Sequence, residues 1–213
     1  MKSANIWLPL MPFAMQLIMA QSGIRPSPLV TGTPQEGTAK FYRTLPPGYV
    51  PSTLKQMCDM STLIVEGTVR SSLLPRQLSP NNLETDSIIT VTRSLKGSAA
   101  NADISVSQPG GTIGKLTLSP AQYNIMRPGE KYLLFLKEDD RPNIPQMSGV
   151  KRYIVTGAWS GLFLLNDGKM QVIADSPDAL RKTYEGLSEE EIIAKVMEVM
   201  DPKFVPPPPQ LGR

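Results

Sequence analysis

The sequence predicts a mainly β domain, and three observations carry that prediction. Short segments rich in Val, Ile, Leu, Thr, Tyr and Phe recur between positions 61 and 174, each bounded by Gly, Pro or Asn, enough for about six to eight strands. Some of them alternate with a period of two, as Ile104 and Val106 do against Ser105 and Ser107. The 21 prolines and 16 glycines among 213 residues suit a turn-rich body with extended ends better than a helix bundle. Apolar residues make up 40% of the chain, enough for a core, and the length suits one domain with tails.

Residues 1–20 have the layout of a secretory signal peptide. Lys2 precedes an apolar stretch from Ile6 to Met19, and Ala20 suits the last residue before cleavage, so the mature chain is expected to begin at Gln21. Pro9, Pro12 and Gln16 interrupt the stretch. The alternative is an N-terminal anchor, but the stretch falls short of the roughly 20 apolar residues that a spanning helix needs. No cysteine follows it to carry a lipid, and no later segment is long and apolar enough to span a membrane. The mature protein is therefore expected to be secreted or periplasmic. Residues 21–50 carry Pro26, Pro28, Pro34, Pro46 and Pro47 without periodicity and read as an extended linker, with Tyr42 to Leu45 as a patch that docks on the body.

The domain is expected over residues 51–174. Ser52 opens a short helix with Leu54, Met57 and Cys58 on one face. Leu63 to Val69 is a strand, Leu73 to Leu83 a long loop, and Ser87 to Leu95 a second strand closed by Lys96-Gly97. Asp103 to Ser107 is a third strand, stopped by Pro109-Gly110-Gly111, and Lys115 to Leu118 a short fourth. Pro128-Gly129 forms a turn. It launches Tyr132-Leu133-Leu134-Phe135-Leu136, which is apolar on both faces and so marks a central strand. Arg152 to Thr156, Gly161 to Leu165 and Met170 to Ala174 complete the strands, the last two joined by the hairpin turn Asn166-Asp167-Gly168.

Helices are expected over 175–201. Ser176-Pro177 resembles a helix start, and Ser188 with Glu191 has the spacing of a capping box. Ile192, Ile193, Val196, Met197 and Met200 then form a stripe, which packs on the domain or else binds a partner. Residues 202–213, with prolines from Pro206 to Pro209, read as a polyproline tail.

Much chemistry is excluded by residue type. The chain has no histidine, so Ser-His-Asp and Cys-His catalysis and His-ligated zinc are out. Cys58 stands alone, which leaves no internal disulfide and no cysteine cluster for a metal. It is expected to be a buried small hydrophobe, with pairing between chains as the alternative. Gly110, Gly111 and Gly114 lack the Lys-Ser/Thr of a phosphate loop. Asp139-Asp140 reads as a solvated loop tip, and neither it nor Asn166-Asp167-Gly168 has the spacing of a calcium loop. No cofactor is expected. The net charge is +3, but Lys and Arg are scattered rather than striped, which argues against a nucleic-acid ligand.

In their order, the Cys58 helix, Leu63 to Val69, Ile88-Ile89-Thr90-Val91 running to Leu95-Lys96-Gly97, Ile104-Ser105-Val106, Pro109-Gly110-Gly111, Pro128-Gly129-Glu130 and Tyr132 to Leu136 resemble the netrin-like module. That module is the OB-fold barrel of the tissue inhibitors of metalloproteinases, and uncharacterised secreted bacterial proteins look closer still. The resemblance spans Met57 to Ala174 and implies an OB-like (netrin-like) antiparallel barrel, preceded by a short helix and followed by a C-terminal helical segment. Those inhibitors place a disulfide-tethered N-terminal cysteine on a protease zinc. This chain has neither the disulfide nor that cysteine, so the resemblance implies a fold and not that mechanism.

The function expected is therefore a non-catalytic binding or interaction module. Its ligand face would be the side of the barrel and the loops Leu73 to Leu83 and Gly110 to Met126, and its partner a secreted or cell-envelope protein or polymer. Arg70, Arg76, Arg93, Lys115 and Arg127 fall near that face and are candidate contacts for an acidic partner, against the simpler reading of ordinary surface charge. The alternatives are a hydrolase using Glu66, Glu84 and Asp86, and a structural envelope component with proline-rich spacers.

Overall fold

The computed structural model describes residues 37–41, 49–79, 82–99, 102–121, 123–142, 144, 147, 149–172, 176–201 and 203. The expected signal peptide, the Tyr42 to Leu45 patch and the proline run from Pro206 to Pro209 lie outside them. The described fold is mainly β. Its strands are β1 (Gly37–Phe41), β2 (Leu63–Ser72), β3 (Arg76–Ser79), β4 (Asn82–Lys96), β5 (Asp103–Pro109), β6 (Gly111–Ile113), β7 (Leu116–Pro120), β8 (Lys131–Glu138), β9 (Arg152–Val155), β10 (Leu162–Asn166) and β11 (Lys169–Val172). The helices are α1 (Leu54–Met60), α2 (Asp178–Tyr184) and α3 (Glu189–Met200).

Five strands close a circuit. β2 pairs antiparallel with β4, β4 with β5, β9 with β8, and β8 with β2, while β5 and β9 run parallel. The free edge of β8 is divided: Lys131 to Leu134 pair with β10, and Leu136 to Glu138 pair with β9. The turn from Thr156 to Gly161 sits at this branch, where Phe135 donates to the Gly161 carbonyl and Thr156 donates to the Phe135 carbonyl. A Cβ on Gly161 would stand 2.8 Å from both the Phe135 and Thr156 carbonyl oxygens, so the branch needs glycine there. β10 and β11 extend the sheet beyond β8 through the expected hairpin, with Asp167 and Gly168 at φ of 51° and 70°.

The sheet separates two cores, which explains the doubly apolar β8. Tyr132, Leu134 and Leu136 join Val65, Val69, Ile89, Val91, Ile104, Val106 and Val155 inside the ring. Leu133 and Phe135 face the other way, onto Leu54, Met57 and Cys58 of α1, Leu180 of α2, and Ile192 and Val196 of α3. Phe135 meets Phe163 edge-on at 5.3 Å. Cys58 is buried in this second core, and burial pushes its thiol up to about 11. The helical stripe thus packs on the domain. The Ser188–Glu191 capping box is formed, and Lys131 and Arg93 pair with Glu189 and Glu190 in the first turn of α3.

Three expectations are corrected. Within the linker, Gly37–Phe41 forms a strand that lies parallel on β7 in a small sheet of order β1-β7-β6; its pairing is made by backbone, to which composition is blind. The loop from Leu73 to Leu83 contains β3, which hairpins onto β4. β3 has no buried face, so its sequence shows no alternation. β4 starts at Asn82 rather than Ser87, because Glu84, Thr85, Asp86 and Ser87 are buried although polar.

Candidate binding site

The fold buries charge on one side of the ring. Glu84 and Asp86 share a face of β4, as expected of residues two apart on a strand. Arg76, carried there by the β3 hairpin, ion-pairs with Asp86 and reaches Glu84 at 2.9 Å and the Ser107 hydroxyl at 2.9 Å. Arg141, from the segment joining β8 to β9, grips Glu84 through two hydrogen bonds of 2.8 and 3.0 Å. It also donates to Asp139 through Nε and Nη2, both at 2.8 Å. Arg152 donates to the same carboxylate at 2.7 Å. Three carboxylates thus meet three guanidiniums, and the cluster is neutral. Asp139 is only 1% exposed, which corrects its reading as a solvated tip: Arg141 is two residues on, and Arg152, thirteen on, joins it when β9 pairs with β8. Burial would raise the Asp139 carboxyl, but the hydrogen bonds from Arg141 and Arg152 prevail and hold it at about 2.

Beside this cluster, at the C-terminal ends of β5 and β9, lies a cleft of about 160 Å³. Arg141, Glu84 and Ser107 form its polar wall. Tyr49, Tyr123 and Trp159 supply aromatic surface, and Tyr123 and Trp159 stack at 6.2 Å and 23°. Tyr49 comes from the segment before α1, which is held in place where Pro51 packs on Gly157. A Cβ on Gly157 would stand 2.4 Å from the proline ring, and its φ of 62° suits glycine. The next residue, Ala158, also lines the cleft and holds a φ of 59°, a strained conformation for alanine.

Gln108 closes the cleft from within. It continues the inward alternation of Ile104 and Val106 along β5, so a polar side chain takes a position where the ring expects an apolar one. Gln108 is 1% exposed. Its Oε1 accepts from the Met126 backbone N–H at 2.9 Å, while Nε2 has no hydrogen-bond partner among the described residues. A buried amide left without a partner is costly, by roughly 1–3 kcal/mol.

Three of the five cations singled out from sequence are ion-paired. Arg70 pairs with Asp103; Arg76 lies in the neutral cluster; Arg93 bridges Glu66 and Glu190. Lys115 sits in the exposed β6–β7 turn, and Arg127 is an exposed residue lining a second, more open hollow with Ser72, Asn124 and Pro128. Of the three carboxylates considered for hydrolysis, Glu84 alone lines the cleft, Asp86 is paired with Arg76, and Glu66 is on β2, bonded to Lys131 at 2.8 Å. Burial raises Glu66 and Glu84, but Lys131, Thr92 and Arg93 outweigh it at Glu66, and Arg141, Arg76 and Ser107 at Glu84, leaving both below the usual carboxylate range. A general acid needs the opposite shift. Among the described residues no three His, Cys, Asp or Glu side chains are placed to hold a metal ion.

Gln108, Tyr49, Tyr123, Arg141 and Trp159 were absent from the sequence reading. Gln108 had a legible signal, as the next inward position after Ile104 and Val106. The others are brought together only by the closing of the ring. No family model matches the chain, and none of the curated proteins matches it. No helix among the described residues is long and apolar enough to cross a membrane.

Proposed function

We propose that the five-strand ring is an OB-like barrel of the netrin-like kind. On that scaffold the protein acts as an exported, non-catalytic binding module, with its ligand held in the cleft between Trp159, Gln108 and Arg141. The strand circuit β2-β4-β5-β9-β8, with its single parallel pair, supports the first statement. The observation that carries the second is the cleft itself, where Tyr49, Tyr123 and Trp159 meet the Arg141–Glu84 ion pair beside the buried Gln108. The ion-paired Glu84 supports binding over hydrolysis, since its charge is already committed to Arg141 and Arg76. The apolar N-terminal stretch ending at Ala20 supports export.

Retention on immobilised cell-envelope fractions tests the binding reading. The full chain is expected to be retained, and Tyr49→Ala, which removes aromatic surface from a half-buried position, is expected to be retained several-fold less. Equal retention of the two, or consumption of envelope material with turnover, would overturn it. For export, the N-terminal residue of the protein recovered from expressing cells should be Gln21, outside the cytoplasm; an intact N-terminus in the cytoplasm contradicts it.

A further inference from the structure

We infer that the tips around Leu74 and Ile113 dock on an anionic lipid surface, an interaction separate from the cleft, whose lining includes none of the side chains involved. Among the described residues four large apolar side chains are exposed, and three of them, Leu74, Leu78 and Ile113, fall on neighbouring elements. Glu84 pairs with Arg76 on one side and with Pro109 on the other, so β3 and the start of β6 flank one end of β4. Pro75 packs on Gly111: a Cβ there would stand 2.6 Å from the proline ring. Leu74 directly precedes that contact, and Ile113 follows it by two residues, beside the hairpin turn Gly114-Lys115. Exposed leucines scattered singly are ordinary surface, whereas apolar side chains gathered at one end of a fold mark a contact surface.

Charge selects what meets that surface. Neither Ser71 to Leu83 nor Ile104 to Gly129 contains an acidic residue, while Arg76, Lys115 and Arg127 fall within them. Arg76 is committed to Glu84 and Asp86, and Lys115 is exposed at the tip of the β6–β7 hairpin. Arg127, also exposed, is the charged residue among those described that line a hollow of about 300 Å³ with Ser72, Ser119 and Asn124. Ser72 directly precedes Leu73-Leu74, and Ser119 follows the Leu118–Gly111 pair, so the hollow adjoins the apolar tips. Guanidinium, hydroxyl and amide donors without a carboxylate among them suit a lipid phosphate. The tips suit the acyl boundary beneath it. Leu74, 93% exposed, projects from the body instead of lining a groove, and a bilayer interface yields around such a side chain without a matching cavity.

An environment-sensitive fluorophore at position 74 of the full chain tests the inference. Leu74→Cys places a thiol on the exposed tip, and the buried Cys58 stays unlabelled in the native protein. Vesicles of phosphatidylcholine and phosphatidylglycerol in equal parts should shift the emission to shorter wavelength, saturably. A probe on Lys182→Cys, exposed on α2, should not respond. The apolar stretch from Ile6 to Met19 is common to both chains, so the difference between probes reports on the tips. Vesicles of phosphatidylcholine alone should need at least roughly tenfold more lipid for the same shift. Changing Lys115 and Arg127 together to Gln should raise the lipid needed roughly tenfold, and both are exposed, so no core is disturbed. An absent shift at position 74, an equal response to the two kinds of vesicle, or no effect of the double change would overturn the inference. So would a shift that grows with protein concentration without lipid, which would assign the tips to a second copy of this chain. Tyr49→Ala, the variant that tests the cleft, should leave the vesicle response unchanged, so the two readings stand or fall separately.

Discussion

Replacing Asp139 by Asn should lower stability at neutral pH by roughly 3 kcal/mol, and the loss should fade in acid. The ordinary carboxyl value of 3.8 falls to about 2 in the folded protein. At roughly 1.4 kcal/mol for each tenfold change, that fall corresponds to about 2–3 kcal/mol of stabilisation. Removing the carboxylate also leaves Arg152, which is 2% exposed, and Arg141 without their shared partner, which moves the expected loss to the upper end of that range. The sign follows from proton binding. Between about pH 4 and pH 2 the unfolded chain takes up a proton at Asp139 that the folded protein does not, so this stabilisation is present above about pH 4 and lost as the pH falls through about 2. Urea denaturation followed by far-ultraviolet circular dichroism at pH 7, 4 and 3 reads both quantities. Wild type should lose stability toward pH 3 more steeply than Asp139→Asn, and the two curves should converge. An unchanged midpoint at pH 7, or a gap that stays constant on acidification, would refute the ion cluster as described.

Phe135→Ala, which empties the centre of the helix-facing core, should destabilise by roughly 3–5 kcal/mol in the same assay; a loss below about 1 kcal/mol would mean that the Phe135–Phe163 contact is misplaced. Ser188→Ala removes the cap of α3 and should lower stability by about 1 kcal/mol, with a smaller effect in a chain already carrying Glu191→Ala, since both act through one capping box. Cys58, buried and with its thiol pushed up to about 11, should resist an aromatic disulfide reagent at pH 8 until urea unfolds the protein; rapid reaction of the native chain would contradict its place between α1 and the sheet.

What the sequence revealed divides along physical lines. β8 was legible because burial on two faces leaves an unbroken apolar run, Tyr132 to Leu136. The Asp167-Gly168 turn and the Ser188 cap were legible because their chemistry is local, set by backbone conformation or by a residue three positions away. Glu84, Asp86 and Asp139 were opaque. Their burial is sustained by guanidiniums from β3, from the β8–β9 connection and from β9, and such pairings leave no period in the chain. β1 was opaque for a similar reason, since a strand added by backbone pairing needs no particular side chains. The cleft lay between these cases. Gln108 breaks the inward pattern of β5 and marks one end of it, while Tyr49, Tyr123 and Trp159 come from three separate loops.

We propose recognition at the end of the ring near Gln108. Side-chain amide and indole resonances report on it directly. On titrating isotopically labelled protein with the envelope fraction that retains it, the Gln108 Nε2 and Trp159 Nε1 signals should shift together and saturate at one concentration, with signals around Arg70 and Arg93 unmoved. Shifts gathered around Arg70, Arg93 and Lys115 with Gln108 and Trp159 unchanged would contradict the account and return recognition to the surface cations.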